Sequence, residues 1–172
     1  LWEGMLFRCY NKKSYTTNPS YKKVNVCDEW LNFQNFAEWC HKQEFFTGVD
    51  DKGRSYQLDK DVLIKGNKIY SPETCCFVPQ EINSFLTNRK ALRGKYPIGV
   101  QFEKETGRFR ALMSGGTGKS KHLGRFPTPE EAFLKYKCVK EELFKSLAER
   151  WKGKIDDKVC QALIEFKIDI TD

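Results

Sequence analysis

This sequence predicts an α+β fold, and three observations carry the prediction. From Ile98 the residues alternate with a period of two through "IGVQFE" and again through "RFRALM", with the turn sequence "KETG" between them. The stretch "TPEEAFLKYKCVKEELFKSLAERW" follows, with a Thr-Pro-Glu-Glu start and apolar residues at helical spacing. Earlier, "DEWLNFQNFAEWCHKQ" places Trp30, Phe33, Phe36, Ala37 and Cys40 on one side of a helix. A small mixed unit is therefore expected first, then a three-stranded antiparallel sheet packed on a helix.

Taken in order, "LWEGMLFRCY" reads as an amphipathic helix with Trp2, Met5, Leu6 and Cys9 on one side. A polar loop runs on to Ser20, and "VNVC" suggests a short strand. Asp28 is placed to cap the aromatic helix. "YQLDKDVL" reads as a strand end carrying Asp59 and Asp61, and "KGNK" as a turn. "SPET" has the pattern of a helix start, with Pro72 in the first turn. "QEINSFLTNRKALRG" reads as a short helix fading into a basic linker, where Arg89, Lys90, Arg93 and Lys95 suit a phosphate backbone.

In the alternating region Ile98, Val100 and Phe102 point one way and Gln101 and Glu103 the other. Phe109, Ala111 and Met113 point inward, and Arg108 and Arg110 outward. "KHLGRF" supplies the third strand. Thr128 caps the long helix, and Ala132, Tyr136, Val139, Leu143 and Leu147 form its expected apolar stripe. A second short helix is expected from Asp156 to Phe166. The organisation read from these features is residues 1–88, a basic linker 89–95, a sheet-and-helix region 96–152, and a C-terminal helix and tail 153–172.

Lys and Arg number 30 against 23 Asp and Glu, a net charge of +7, which favours a polyanionic partner. No apolar run approaches the ~18 residues of a membrane span, so no membrane partner is expected. Seven cysteines without C-x-x-C spacing and no secretory segment point to reduced thiols in a cytoplasm. Zinc is not expected, because Cys9, Cys27, Cys75 and His41 have no metal-site spacing. The run Gly118-Lys119-Ser120 ends like a nucleotide-binding loop. However, Met113 stands where that motif needs its first glycine, and a strand follows instead of a helix. No nucleotide cofactor is expected, and the glycines read as a turn between two strands.

An outward sheet face of long polar and basic side chains suits a nucleic-acid reader, because a β-ribbon fits the major groove and arginine pairs with guanine in a bidentate way. Lys119, Lys121 and Arg125 lie near the loop and third strand, where they can hold phosphates. The other reading of this face is a solvated surface.

The region from about 96 to 142 resembles an AP2 DNA-binding domain. The resemblance rests on Gly99-Val100, Gly107-Arg108-Phe109-Arg110-Ala111, Leu123-Gly124-Arg125-Phe126, Thr128-Pro129-Glu130-Glu131-Ala132 and Tyr136. It implies a sheet lying in the major groove of double-stranded DNA, backed by the helix. By position, Gln101, Glu103, Arg108, Arg110 and His122 would be its outward readers. Gln101 and Glu103 stand where the family has paired arginines, so its target sequence does not carry over.

The first half resembles the amino-terminal part of phage HNH-type homing endonucleases that carry such domains. The matching segments are "MLFRCY", "VNVCDEWLNFQNFAEW" and "LDKDVLIKGNKIYSPETCCFVPQEIN". This implies a phage-encoded protein in a bacterial cytoplasm. It also implies a degenerate ββα-metal, His-Me finger-like unit that cuts phosphodiester bonds with Mg²⁺. Laid on that pattern, Asp59 takes the Asp position, Lys60 the general-base His, and Tyr70 and Thr74 the two Asn positions. Lysine, with a reference pKa of about 10.4, is a poor base unless strongly desolvated. Three outcomes stay open. An acidic site of Asp59, Asp61 and Glu73 holds the metal; or catalysis is lost and DNA binding kept; or the catalytic residues lie elsewhere. The bland reading of Asp59 and Asp61 is turn chemistry at a strand end.

Overall fold

Met5 and Cys9 recur four residues apart, and a helix puts both on one side. In the computed structural model, which describes residues 1–86, 94–114 and 120–172, they are the buried residues of α1 (Trp2–Tyr10). The chain is mixed α and β and divides into two units: Leu1–Asn83 with Gly153–Val159, and Ser84–Lys152 with Cys160–Asp172.

In the first unit, the stretch expected as a polar loop forms α2 (Lys12–Thr17) and a 3₁₀ turn at Pro19–Lys23. The polar residues that suggested a loop act as caps: the Asn11 side chain accepts from Lys13 N at 2.9 Å. A short strand β1 (Asn25–Val26) pairs in parallel with β3 (Ile69–Tyr70). Asp28 opens a 3₁₀ turn at Asp28–Leu31 instead of capping the aromatic helix. That helix, α3 (Phe33–Lys42), is capped by Asn32, which accepts from Gln34 N at 2.8 Å. The later start leaves Phe33 half exposed while Trp30, Phe36 and Cys40 are buried. Trp30 stacks with Phe36 and Trp39 at 5.1 and 4.6 Å between ring centroids, and Trp39 and Phe46 both meet Phe77.

Phe77 belongs to β4 (Cys76–Val78), antiparallel to β2 (Gln57–Asp59). The "SPET" segment makes no helix. Thr74 N and Cys75 N both donate to the Ser71 carbonyl, closing a turn that feeds β4. The reason is downstream: Cys75, Cys76, Phe77 and Val78 are all buried, and a strand paired with β2 buries them where a continued helix would not. α4 (Gln80–Leu86) follows. Residues 153–159 add Ile155 and Val159 to the buried set, and Tyr56 donates its hydroxyl to the Lys154 carbonyl at 2.9 Å.

The second unit is an antiparallel sheet in the order β5 (Val100–Glu103), β6 (Arg108–Ser114), β7 (Ser120–Phe126), with α5 (Pro129–Trp151) against all three strands. Thr128 caps α5 by accepting from Glu131 N at 3.2 Å. The buried stripe of α5 is Ala132, Phe133, Tyr136, Lys140, Phe144, Leu147, Ala148 and Trp151; Val139 and Leu143 are only half-buried. Gly99 lets the helix come close: its φ is +76°, and a Cβ there would stand 2.2 Å from the Tyr136 ring. Asp156 caps α6 (Asp157–Glu165) through Lys158 N at 2.8 Å. Beyond α6, Phe166 stacks on Phe144 at 4.6 Å, and Glu141 accepts from Ile168 N at 3.0 Å. Among the described residues no helix is long and apolar enough to cross a membrane.

Candidate nucleic-acid interface

Sheet register decides which side chains share a face. Gln101 pairs with Arg110, which pairs with Arg125; Glu103 pairs with Arg108. Directly opposed residues lie on the same side of a pleated sheet, so these five occupy the face turned away from the buried Ala111 and Met113. A bulge then shifts the pairing: Ala111 faces Gly124, whereas Leu112 faces His122, leaving Leu123 as the extra residue. Gly124 adopts φ +140° at this point. The shift brings His122 onto the outer face beside Leu112. It also sets Lys121 opposite Met113, on the other side of the sheet from His122, so Lys121 is exposed but is not part of the outer row.

The outer face is an ion-pair network centred on Glu103. Arg125 presents a fork to it, Nε to Oε2 at 2.7 Å and a terminal nitrogen to Oε1 at 3.1 Å. Arg110 reaches Oε1 at 3.2 Å and donates its other terminal nitrogen to Gln101 at 2.9 Å. Thr106 adds a hydroxyl donor at 2.6 Å. These donors, the Arg125 guanidinium first and Thr106 next, hold the Glu103 carboxyl down at about 2. Glu103 is therefore bound to two arginines of the same face. Arg108 and His122 have no side-chain hydrogen bond or ion pair among the described residues. Arg89, Lys90, Arg93 and Lys119 lie outside the described residues; Lys95 is exposed with its ammonium 5.3 Å from the Tyr96 ring centre.

In the first unit, Asp59 and its neighbours form a tight turn. Asp59 Oδ1 accepts from Asp61 N at 2.7 Å and Val62 N at 2.8 Å. Burial pushes the Asp59 carboxyl up, against the pull of those two amides. Lys60 is buried and used as a donor, to Asp61 Oδ2 at 2.5 Å and the Asn67 carbonyl at 3.1 Å. Tyr70 is buried, and burial pushes its phenol up. Thr74 gives its hydroxyl to the Ile69 carbonyl at 2.9 Å, and Glu73 is exposed, with the Ser71 hydroxyl holding its carboxyl low.

Mg²⁺ takes hard oxygen ligands in near-octahedral order. Asp59 is engaged by backbone amides and Asp61 by Lys60. Among the described residues no group of three His, Cys, Asp or Glu side chains converges on a cation site. The cysteines are mostly buried free thiols, with burial pushing Cys40 up to about 11 and Cys75 up to about 12.

Two residues beside Lys60 and Tyr70 were not expected from the sequence: Arg8 of α1 and Tyr21. The available signal was the position of Arg8 immediately before Cys9, on the edge of the buried side of its helix. Comparison of the chain with protein-family models, with characterised proteins and with solved structures gave no match.

Proposed function

We propose that this protein binds double-stranded DNA in a sequence-directed way, laying the outer face of β5–β7 in the major groove as the AP2 resemblance implies. The observation that supports this reading is the sharing of one sheet face by Arg108, Arg110, Arg125, Gln101 and His122, opposite the face buried by α5. Three neighbouring guanidinium positions and two polar hydrogen-bonding side chains suit base edges and phosphates in a groove about 12 Å wide. The net charge of +7 adds long-range attraction to the same partner.

The test is fluorescence anisotropy with duplex DNA across a salt series. Replacing Arg108 and Arg110 by Ala weakens binding and makes the slope of log Kobs against log salt shallower, by ~0.9 for each phosphate no longer neutralised. Unchanged affinity and slope would remove the sheet from the mechanism. A preference for duplex RNA over duplex DNA would turn the reading into an RNA-binding one.

The proposal has a catalytic form, a homing endonuclease of the HNH type cutting with Mg²⁺, and a non-catalytic form, a DNA-binding regulator derived from one. The resemblance of "LDKDVLIKGNKIYSPETC" supports the first. The engagement of Asp59 by backbone amides and of Asp61 by Lys60 favours the second. Incubation with phage genomic DNA in Mg²⁺ or in EDTA separates them. Discrete cut ends formed only with Mg²⁺ establish the nuclease, and binding with intact DNA establishes the regulator.

A further inference from the structure

The first unit contains a second concentration of positive charge that neither the sheet nor the Asp59 turn explains. Arg8, from α1, and Lys60, from the turn after β2, approach the same two aromatic rings. The Arg8 guanidinium carbon lies 6.0 Å from the centre of Tyr21 and 5.9 Å from that of Tyr70. Lys60 Nζ lies 5.9 and 5.8 Å from the same centres. The two phenol oxygens are 3.5 Å apart. The chain thus brings two cations and two hydroxyls from four separate segments to one place.

The two cations are unequally matched. The Lys60 side chain is 6% exposed, pairs with Asp61 and lies within electrostatic reach of a second carboxylate, Asp59. Arg8 meets no carboxylate among the described residues, and its Nε is buried without a hydrogen-bond partner. A cation shielded from water is costly unless an opposite charge or sufficient acceptors meet it. The tyrosine faces compensate only in part, because a cation–π contact is weak beside the cost of taking a full charge out of water. What Arg8 lacks, among the described residues, is an anion.

The chemistry of the missing anion follows from the donors. Guanidinium and ammonium groups only donate, and each phenol has one O–H to give. Their complement is a compact oxyanion that accepts from several directions at once. A planar guanidinium matches two oxygens of a phosphate side by side, and a lysine ammonium adds a point charge. Arg8 and Tyr21 are only half-buried, so the cluster borders solvent on their side, while Lys60 and Tyr70 are buried.

We propose that Arg8, Lys60, Tyr21 and Tyr70 form an oxyanion site that takes a phosphate group. That group is either a phosphodiester of a nucleic-acid backbone or a free phosphate. The backbone source rests on the proposed DNA binding and would place a strand over the first unit as well as the second; the free-phosphate source does not depend on it.

The experiment uses the full chain. Inorganic phosphate is titrated against chloride at constant ionic strength and followed by thermal shift and calorimetry. Duplex DNA binding is measured in parallel. The variants are Arg8→Gln, which keeps much of the side-chain volume, and Tyr70→Phe, which keeps the ring and removes one donor; circular dichroism checks that each folds. The wild type is expected to show saturable stabilisation by phosphate. Arg8→Gln is expected to weaken phosphate binding at least tenfold and Tyr70→Phe by a smaller factor. Should Arg8→Gln not fold, the Tyr70→Phe titration decides. Phosphate affinity equal in wild type and both variants overturns the site, as does an absence of saturable binding together with unaltered DNA affinity in Arg8→Gln. DNA binding reduced in Arg8→Gln identifies the backbone phosphate as the ligand. Phosphate binding in a chain that ignores DNA keeps the site and removes the DNA reading, whereas DNA binding that responds to Arg108 and Arg110 but not to Arg8 does the reverse.

Discussion

Lys140 is the place where the second unit works against its own stability, and removing its charge is a quantitative test of how α5 is seated. Its side chain is buried, with the ammonium 4.9 Å from the centre of the Phe85 ring and 5.2 Å from that of Phe144. No carboxylate pairs with it among the described residues. Burial lowers its pKa from 10.5 to about 8. Each tenfold change in proton affinity is worth about 1.4 kcal/mol, so the charged form is penalised by roughly 3 kcal/mol at neutral pH. The two cation–π contacts are already part of that environment, and losing them costs Lys140→Met on the order of 1 kcal/mol. The substitution keeps the unbranched stem and should stabilise the second unit by about 1–3 kcal/mol at pH 7.

The pH dependence has a definite sign. Between about 8 and 10.5 the unfolded chain holds a proton on Lys140 that the folded chain has released, so stability rises with pH through that window. Cys40 and Cys75 act in the opposite sense. Their raised thiols keep protons in the folded chain, so their contribution is lost as pH climbs towards about 11 and 12. Subtracting the variant from the wild type cancels them. Urea unfolding of both proteins at pH 7, 8, 9 and 10 should show a gap that is widest at pH 7 and narrows above 8. A destabilised Lys140→Met, or a gap that ignores pH, would show that the ammonium reaches solvent.

Gly99→Ala should destabilise the second unit by about 2 kcal/mol or more, because φ is +76° and the new methyl would meet the Tyr136 ring at 2.2 Å. An unchanged melting temperature would mean the helix stands off the sheet. Glu103→Gln should release Arg110 and Arg125, strengthening duplex binding and steepening its salt slope. It should also flatten the acid limb of stability, since the native carboxyl, held at about 2, contributes above its ordinary value of 4.5 and loses that contribution as pH falls towards 2. Identical salt slopes and acid limbs would show that Glu103 holds neither arginine. Asp59→Ala leaves the amides of Asp61 and Val62 without their acceptor and should cost the first unit about 2–3 kcal/mol, read by urea unfolding. An undiminished midpoint would show that the turn does not depend on the Asp59 carboxylate.

The parts of this fold that were legible in the sequence are those where one local rule was enough. Alternation from Val100 to Met113 set both strands and their faces, because period two admits one arrangement of in and out. Thr128 and Pro129 marked the start of α5 for an equally local reason. The misses arose where a residue had two local uses. Asn11 and Asn32 suit loops and helix caps equally, and "SPET" suits a helix start and a closing turn. For Asn32 and "SPET" the burial of residues downstream decided, whereas the helix after Asn11 buries only Ser14. Lys140 sits in the middle of the buried stripe of α5, so a stripe drawn through apolar positions alone drifts towards Val139 and Leu143. The candidate site was only half visible. Outward direction could be read from period, but the binding of Glu103 to two arginines depends on cross-strand neighbours. Likewise, the meeting of Arg8 with Lys60 depends on chain segments about fifty residues apart.

The kink at Gly124 gives strand β7 an adjustable parity. His122 and Arg125 are an odd interval apart and still look the same way, because one surplus residue has been absorbed between them. If that surplus were ironed out, the segment leading up to it would slide by one place: the imidazole would turn inward and the ammonium of Lys121 would take the outward slot, while Arg125 stayed put. One glycine thus sits where the outward face passes from one parity to the other, and a β-branched residue at 124 would be strained there, at a φ of +140° and 3.1 Å from the Phe126 ring.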